Sequence, residues 1–267
     1  MKKRKKVLAA AALVALAAAV YCNFVLHRED WIVTSDRLPE AFDGYRITLL
    51  TDLHGTTFGE DNETLLSAVR ASEPDILCIS GDLVDHASDL SILEQLLPKL
   101  TEIAPTYYVT GNHEWRRGDT EAVIDRIEAC GVTALRNDYL VLGEGMVLAG
   151  AEDPNGYADM EKPHQFMNRI RTEVGGDPYI AMIYHRNDSL DLWSGLNADL
   201  VLAGHGHGGV IKLPFIGGLL GVDREFFPDD AEGLYEKGRT TLAVSRGLGG
   251  IRLWNRPHLP TIVLKMK

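Results

Sequence analysis

The chain has 267 residues, 45% hydrophobic and 24% charged, a composition that excludes predominant disorder and leaves room for one large domain or two small ones. Its net charge of -11 is unevenly distributed: Lys2, Lys3, Arg4, Lys5 and Lys6 lie at one end, so the chain from His27 onward carries 22 cations against 38 acids, a net of -16. A field of that sign repels polyphosphate backbones and argues against nucleic acid as substrate or partner.

The first predicted element is the run from Val7 to Leu26, 20 residues without a charge. As a helix it is about 30 Å long, enough to cross a bilayer. Basic residues ahead of such a run stay cytoplasmic. The expected organisation is therefore a basic cytoplasmic segment at 1–6, a transmembrane signal anchor at 7–26, a linker at 27–44 and an extracytoplasmic domain at 45–267. Ala17-Ala18-Ala19 offers a small-residue cleavage site, and the alternative is a secreted protein released after signal cleavage.

From Tyr45 the chain alternates β-branched runs with amphipathic segments, the pattern of an α/β layered domain. Tyr45–Thr51, Ile76–Ser80, Thr106–Thr110, Tyr179–Tyr184 and Leu200–Ala203 read as strands. Asn62–Ser72, Asp89–Leu100 and Thr120–Cys130 read as helices, the last stopped by Gly131. A second strand group comprises Tyr139–Leu142 and Met146–Ala149, a hairpin about Gly143-Glu144-Gly145, followed by Val210–Leu213, Thr240–Ser245 and Thr261–Leu264. Pro214–Gly238 reads as a long surface loop of the kind that covers a substrate. Two sheets follow from these groups. The cysteines Cys22, Cys78 and Cys130 lack metal-finger spacing and are odd in number, so neither a disulfide framework nor a structural zinc site is indicated.

Ligand-type residues collect where these strands end, the edge at which open α/β sheets carry their sites. They are Asp52-Leu53-His54, Gly81-Asp82-Leu83-Val84-Asp85, Gly111-Asn112-His113-Glu114, His185, and Gly204-His205-Gly206-His207. In extended backbone the members of each i, i+2 pair point to one side. Gly81, Gly111, Gly204 and Gly206 allow sharp turns and close approach. The donor set is oxygen and nitrogen without thiolate, suited to Mn, Zn or Fe, and seven ligands exceed the needs of one such ion. Two divalent ions about 4 Å apart, bridged by a carboxylate, are the expected solution.

In this order the D-x-H, G-D, G-N-H-E, H and G-H-x-H motifs resemble those of the calcineurin-like metallophosphoesterases, over about Tyr45 to Leu264. The resemblance implies an αββα sandwich, two mixed sheets with helices on the outside. It implies a first metal on Asp52, His54, Asp82 and His207, a second on Asp82, Asn112, His185 and His205, and His113 off the metals as the acid facing the leaving group. Leu50–His54, Gly81–Asp85, Gly204–Gly209, Ser245–Gly249 and Asn255–Pro257 are similar to a bacterial membrane-associated branch, the YkuE- and YaeI-type phosphoesterases. Gly206 and His258 depart from that branch.

The resulting expectation is a two-metal phosphoesterase, a phosphodiesterase or pyrophosphate hydrolase, on the outer face of the cytoplasmic membrane. Its relatives include hydrolases of lipid-linked pyrophosphates such as UDP-2,3-diacylglucosamine. A silent scaffold of the same fold and a nuclease are the rival readings; the full ligand set argues against the first and the charge against the second. Arg186 and Arg246 are candidates to contact phosphate. Asp85 and Glu114 suit either ligand orientation or loop capping. His27, His86, His164 and His258 read as ordinary histidines, and Trp115, Trp193 and Trp254 as packing residues.

Overall fold

The computed structural model describes residues 2–143, 145–213, 217–222, 224–250 and 254–267. Along them the chain forms α1 (Lys2–Phe24), β1 (His27–Ser35), β2 (Arg46–Leu50), α2 (Glu63–Arg70), β3 (Ile76–Ser80), α3 (Ser91–Thr101), β4 (Thr106–Val109), α4 (Asn112–Arg117), α5 (Thr120–Ala129) and β5 (Thr133–Ala134). There follow β6 (Asp138–Leu142), β7 (Met146–Gly150), α6 (Pro163–Val174), β8 (Tyr179–Ile183), α7 (Leu190–Gly195), β9 (Leu200–Ala203), β10 (Ile211–Leu213), β11 (Gly217–Leu220), β12 (Gly233–Lys237), β13 (Thr240–Val244) and β14 (His258–Met266).

Two six-stranded mixed sheets result, ordered β1-β14-β2-β3-β4-β5 and β12-β13-β9-β8-β7-β6. In the first, β2, β3 and β4 run parallel, with Leu49 opposite Cys78 and Cys78 opposite Tyr107. In the second, β7, β8 and β9 run parallel, with Met182 opposite Val201. Period-two alternation divides each strand between two layers. Ile47, Leu49, Ile76 and Cys78 meet Met146, Leu148, Ala181 and Ile183 between the sheets. Leu50, Leu77 and Ile79 face Leu65, Leu93, Leu96 and Ile124 of α2, α3 and α5. Ile180 and Met182 face Phe166, Ile170 and Trp193 of α6 and α7. Buried on both faces, these strands are near-continuous apolar runs, which is why they were legible. Cys78 is one of these core residues, and burial pushes its thiol pKa up.

Three expectations are corrected. Residues 27–35 of the expected linker are β1, paired in parallel with β14 from His27 opposite His258 to Ser35 opposite Met266. As an edge strand it buries only Trp31 and Val33, so its sequence carries almost no apolar alternation. The stretch expected to be loop contains β11 and β12; β11 pairs with β10 as a hairpin and β12 joins the second sheet, while residues 214–216, where that loop was to begin, and Glu144 of the expected turn lie outside the described residues. Finally, among the described residues no helix is long and apolar enough to cross a membrane, so the span expected at 7–26 finds no support in the structure. The helix there begins inside the basic cluster and stops at Phe24.

Candidate metal centre

The loops after β2, β3, β4, β8 and β9 converge, and each brings its acid, amide or imidazole. Asp52, Asp82, Asn112, His185, His205 and His207 are buried, His54 nearly so, and His113 stands at the mouth with its side chain 34% exposed. Three overlapping groups have ligand atoms within 4.8 Å of one another: Asp52, His54 and His207; His54, Asp82 and His113; and Asp82, His185 and His205.

The backbone reaches this arrangement differently from the extended alternation expected. Asp52, His54, Asp82, His205 and His207 all have positive φ, between +49° and +61°. Left-handed backbone is uncommon outside glycine but best tolerated by Asp, Asn and His. It turns each strand end sharply inward. The turns are fixed to one another: Asp52 N–H donates to Gly81 O (3.1 Å), His54 N–H to Asp82 O (3.0 Å) and Gly55 N–H to Leu83 O (2.9 Å). A side chain at Gly111 would collide with Asp82 Oδ1, and one at Gly204 with Thr51 and Asp52.

Glu114 fastens the β3 loop to the β4 loop. Its fully buried carboxylate accepts from the N–H groups of Gly111 (2.8 Å), Asp82 (3.0 Å) and Val84 (3.2 Å). The Gly111 bond is the half of a capping box that Glu114, at the third position of α4, makes by itself; Gly111 has no side chain to make the other. Asp85, by contrast, caps its own loop, accepting from Ala87 N–H and Ser88 Oγ–H.

The polar atoms at the centre point lone pair toward lone pair. His185 Nδ1–H donates to Ser80 O (2.7 Å), which directs Nε2 at Asn112 Oδ1 (3.1 Å) and Asp82 Oδ2 (3.3 Å). The lone pair of a neutral imidazole there would oppose two acceptor oxygens; only a proton or a cation between them makes the geometry favourable. Asp52 repeats the pattern. Its Oδ2 accepts from Thr51 Oγ–H (2.7 Å) and His205 N–H (3.0 Å), whereas buried Oδ1 has no hydrogen-bond donor among the described residues and faces His207 Nε2 (3.4 Å) and His54 Nε2 (3.9 Å). Those two imidazole nitrogens are themselves 3.3 Å apart. The residues present therefore fit divalent cations, with carbonyl and hydroxyl groups behind them fixing their orientation.

Protonation follows the same logic. Burial opposes ionisation of Asp52 and Asp82, but the surrounding imidazoles prevail and hold both carboxyls below their ordinary range. For His185 burial is outweighed by Asp82, Asp52 and Asp153, which raise it to about 10. His205 is lowered to about 3 by burial, His185 and Arg186, and burial also lowers His113. Burial and the Asp82 charge raise Glu114 to about 7.

Arg186 reaches the cluster, its Nη1 lying 3.0 Å from His205 Nε2. Asp153 holds the guanidinium by two bonds, Nε to Oδ2 (2.6 Å) and Nη2 to Oδ1 (3.1 Å). Asp153 was missed in the sequence. Its signal was the one used elsewhere, a polar loop directly after a buried strand, here Glu152-Asp153 following β7. Of the Arg246 nitrogens, Nη1 donates to Glu232 (2.9 Å) and Nη2 lies 2.7 Å from His27 Nδ1. His27 and His258, read as ordinary, stack at 5.5 Å beside Glu29.

A family model described as calcineurin-like phosphoesterase matches residues 45–209. The chain is 27% identical to the metallophosphoesterase YkuE of Bacillus subtilis over 276 residues, covering 97% of this chain and 93% of that protein. It is 30% identical to a transmembrane protein with metallophosphoesterase domain of Danio rerio, covering 86% of this chain and 55% of that protein. With the phosphodiesterase YaeI of Escherichia coli it shares 26% identity, covering 82% of each.

Proposed function

Because the chain belongs to the calcineurin-like phosphoesterases, a family of metal-dependent hydrolases with a dinuclear divalent site, we propose that Asp52, His54, Asp82 and His207 hold one ion and Asp82, Asn112, His185 and His205 the other. The observation that carries this assignment is the convergence of Asp82 Oδ2, Asn112 Oδ1 and His185 Nε2 on one point that a proton or cation must occupy. When bound, Mn, Zn or Fe ions supply a water of lowered pKa as nucleophile and neutralise charge on the phosphoryl oxygens. Around them the protein positions and transfers protons. His113, at the mouth, gives a proton from its ring to the departing oxygen. Arg186, oriented by Asp153, donates to a phosphoryl oxygen through a guanidinium that is charged at every working pH.

The substrate proposed is a phosphodiester or pyrophosphate, lipid-linked in the manner of UDP-2,3-diacylglucosamine. The place proposed is the outer face of the cytoplasmic membrane, supported by the basic cluster ahead of an uncharged apolar run and by a relative named as a transmembrane protein. Elemental analysis of the purified chain tests the site: about two ions per chain, with Asp82→Ala losing more than His54→Ala. No bound metal, together with no hydrolysis of nitrophenyl phosphoesters on adding Mn²⁺, would sink it. A reporter fused after residue 267 that is active in the cytoplasm would sink the placement.

A further inference from the structure

Beside the metal-binding loops lies a cavity of about 570 Å³, within the range of small-molecule sites. Phe24, Phe58, Leu248 and Pro257 supply its apolar side chains, with Thr57 at its opening and Gly250 in its wall. That wall is shared with the centre. A Cβ at Gly250 would sit 2.8 Å from His207 Cε1 and 3.2 Å from His54 Cδ2, so Gly250 lies against both imidazoles on one side and against the cavity on the other. The far wall is fastened in place as well. Arg256 donates to Val25 O, to Leu26 O and to the Tyr21 hydroxyl, each at 3.0 Å, and its guanidinium lies 4.6 Å from the Tyr21 ring. These bonds dock the end of α1 beside Pro257. Phe24, in that last turn, nevertheless leaves 73% of its surface open. An apolar hollow with an uncovered aromatic rim, opening beside a polar cluster, matches a ligand with a hydrocarbon chain joined to a phosphoryl group.

We propose that this cavity receives the hydrocarbon chain of an amphiphilic phosphoester substrate, its phosphoryl group reaching the centre past Gly250. The inference rests on the hydrolase reading above and adds where in the fold the hydrocarbon part of such a substrate is held. Binding that is equal in ground and transition states lowers KM and leaves kcat unchanged.

The test uses the full chain with Mn²⁺ and a series of alkyl nitrophenyl phosphodiesters, methyl to hexyl, kept below their micellar concentrations. KM should fall by up to about fourfold per methylene, the limit set by complete burial of each CH₂, at constant kcat. Thr57→Trp fills the opening and Phe24→Ala removes the rim. Each should flatten that dependence while the methyl ester keeps wild-type kcat/KM. Titration with methyl- and hexylphosphonate gives an activity-free measurement of the same preference. Wild-type KM values independent of chain length, or a dependence that survives in both variants, would overturn the proposal. Hydrolysis absent at every chain length would overturn the hydrolase reading instead; hexylphosphonate binding tighter than methylphosphonate would then still support the cavity, and equal affinities would overturn it.

Discussion

Glu114 sits outside the candidate ligand set yet should control it. Replacing it with Ala strands the N–H groups of Asp82, Gly111 and Val84, all inside the protein. A buried donor left without an acceptor costs about 1–3 kcal/mol, so three give roughly 3–6 kcal/mol after partial relaxation, a large fraction of a typical domain's stability. Glu114→Gln retains the shape and one carbonyl oxygen, but its amide meets a backbone donor with another donor; about 1–3 kcal/mol is the expected loss. Because Asp82 is one of the residues anchored, the Gln variant should also bind metal more weakly while remaining folded. Urea unfolding at unchanged m-value reads the first quantity, and metal per chain against free metal reads the second. The proton on Glu114 adds a signature. Its folded pKa is raised from 4.5 to about 7, so in metal-free protein its contribution is present below pH 4.5 and lost as pH rises through about 7. The Gln variant should lack that slope. Glu114→Ala within about 0.5 kcal/mol of wild type, the usual range of neutral surface changes, with unaltered metal affinity, would refute the reasoning.

His185 in metal-free protein holds its proton to about pH 10 because Asp82 and Asp52 overcome burial, so stability from that proton is present below 6.5 and lost as pH rises through about 10. A metal must displace it; apparent affinity should climb about tenfold per pH unit across that window, and calorimetric titrations showing no proton release at pH 7 would contradict this. His113→Ala should keep its metal and lose roughly 10²–10⁴ in turnover, with a smaller defect on nitrophenyl esters, whose leaving group departs without a proton. With burial lowering the His113 pKa, turnover of alkoxide-leaving substrates should decline as pH rises through a value below 6.5. Asp153→Asn frees the guanidinium of Arg186 and should raise KM by about 10- to 100-fold, the loss of one charge-assisted bond; unchanged kinetics would remove Arg186 from substrate binding.

The two-sheet arrangement and the cluster of candidate ligands were legible for one reason. Strands buried on both faces are unbroken apolar runs, so the polar residues that follow them stand out, and Asp52, Asp82, Asn112, His185, His205 and His207 all occupy that position. What was missed lacked such contrast. β1 is polar at an edge and buries two side chains. β11 and β12 lie in a Gly- and Pro-containing stretch without alternation, and α4 has six residues, too few for a 3.6-residue period to show. Asp153 follows β7 as Asp82 follows β3, but without a neighbouring glycine or histidine to draw attention. Position next to a strand end does not determine where a long side chain goes: for Arg246, Glu232 and His27 on other elements hold two of its nitrogens.

The backbone at the centre could not be read from the sequence, yet it explains the residue types there. A non-glycine residue in left-handed backbone costs of order 1–3 kcal/mol, and five of the seven expected ligands adopt it. Asp and His bear that cost better than other side chains because they are among the residues enriched there. They are also the side chains that bind Mn, Zn or Fe through oxygen and nitrogen. One choice of residue thus satisfies backbone and chemistry together. The strain is offset by the bonds joining the β2 and β3 loops and by those that Glu114 accepts. These bonds are made by backbone groups and by Glu114, so the candidate ligand atoms of Asp82, Asn112 and His185 are left facing one another, and a bound cation would relieve their opposed lone pairs.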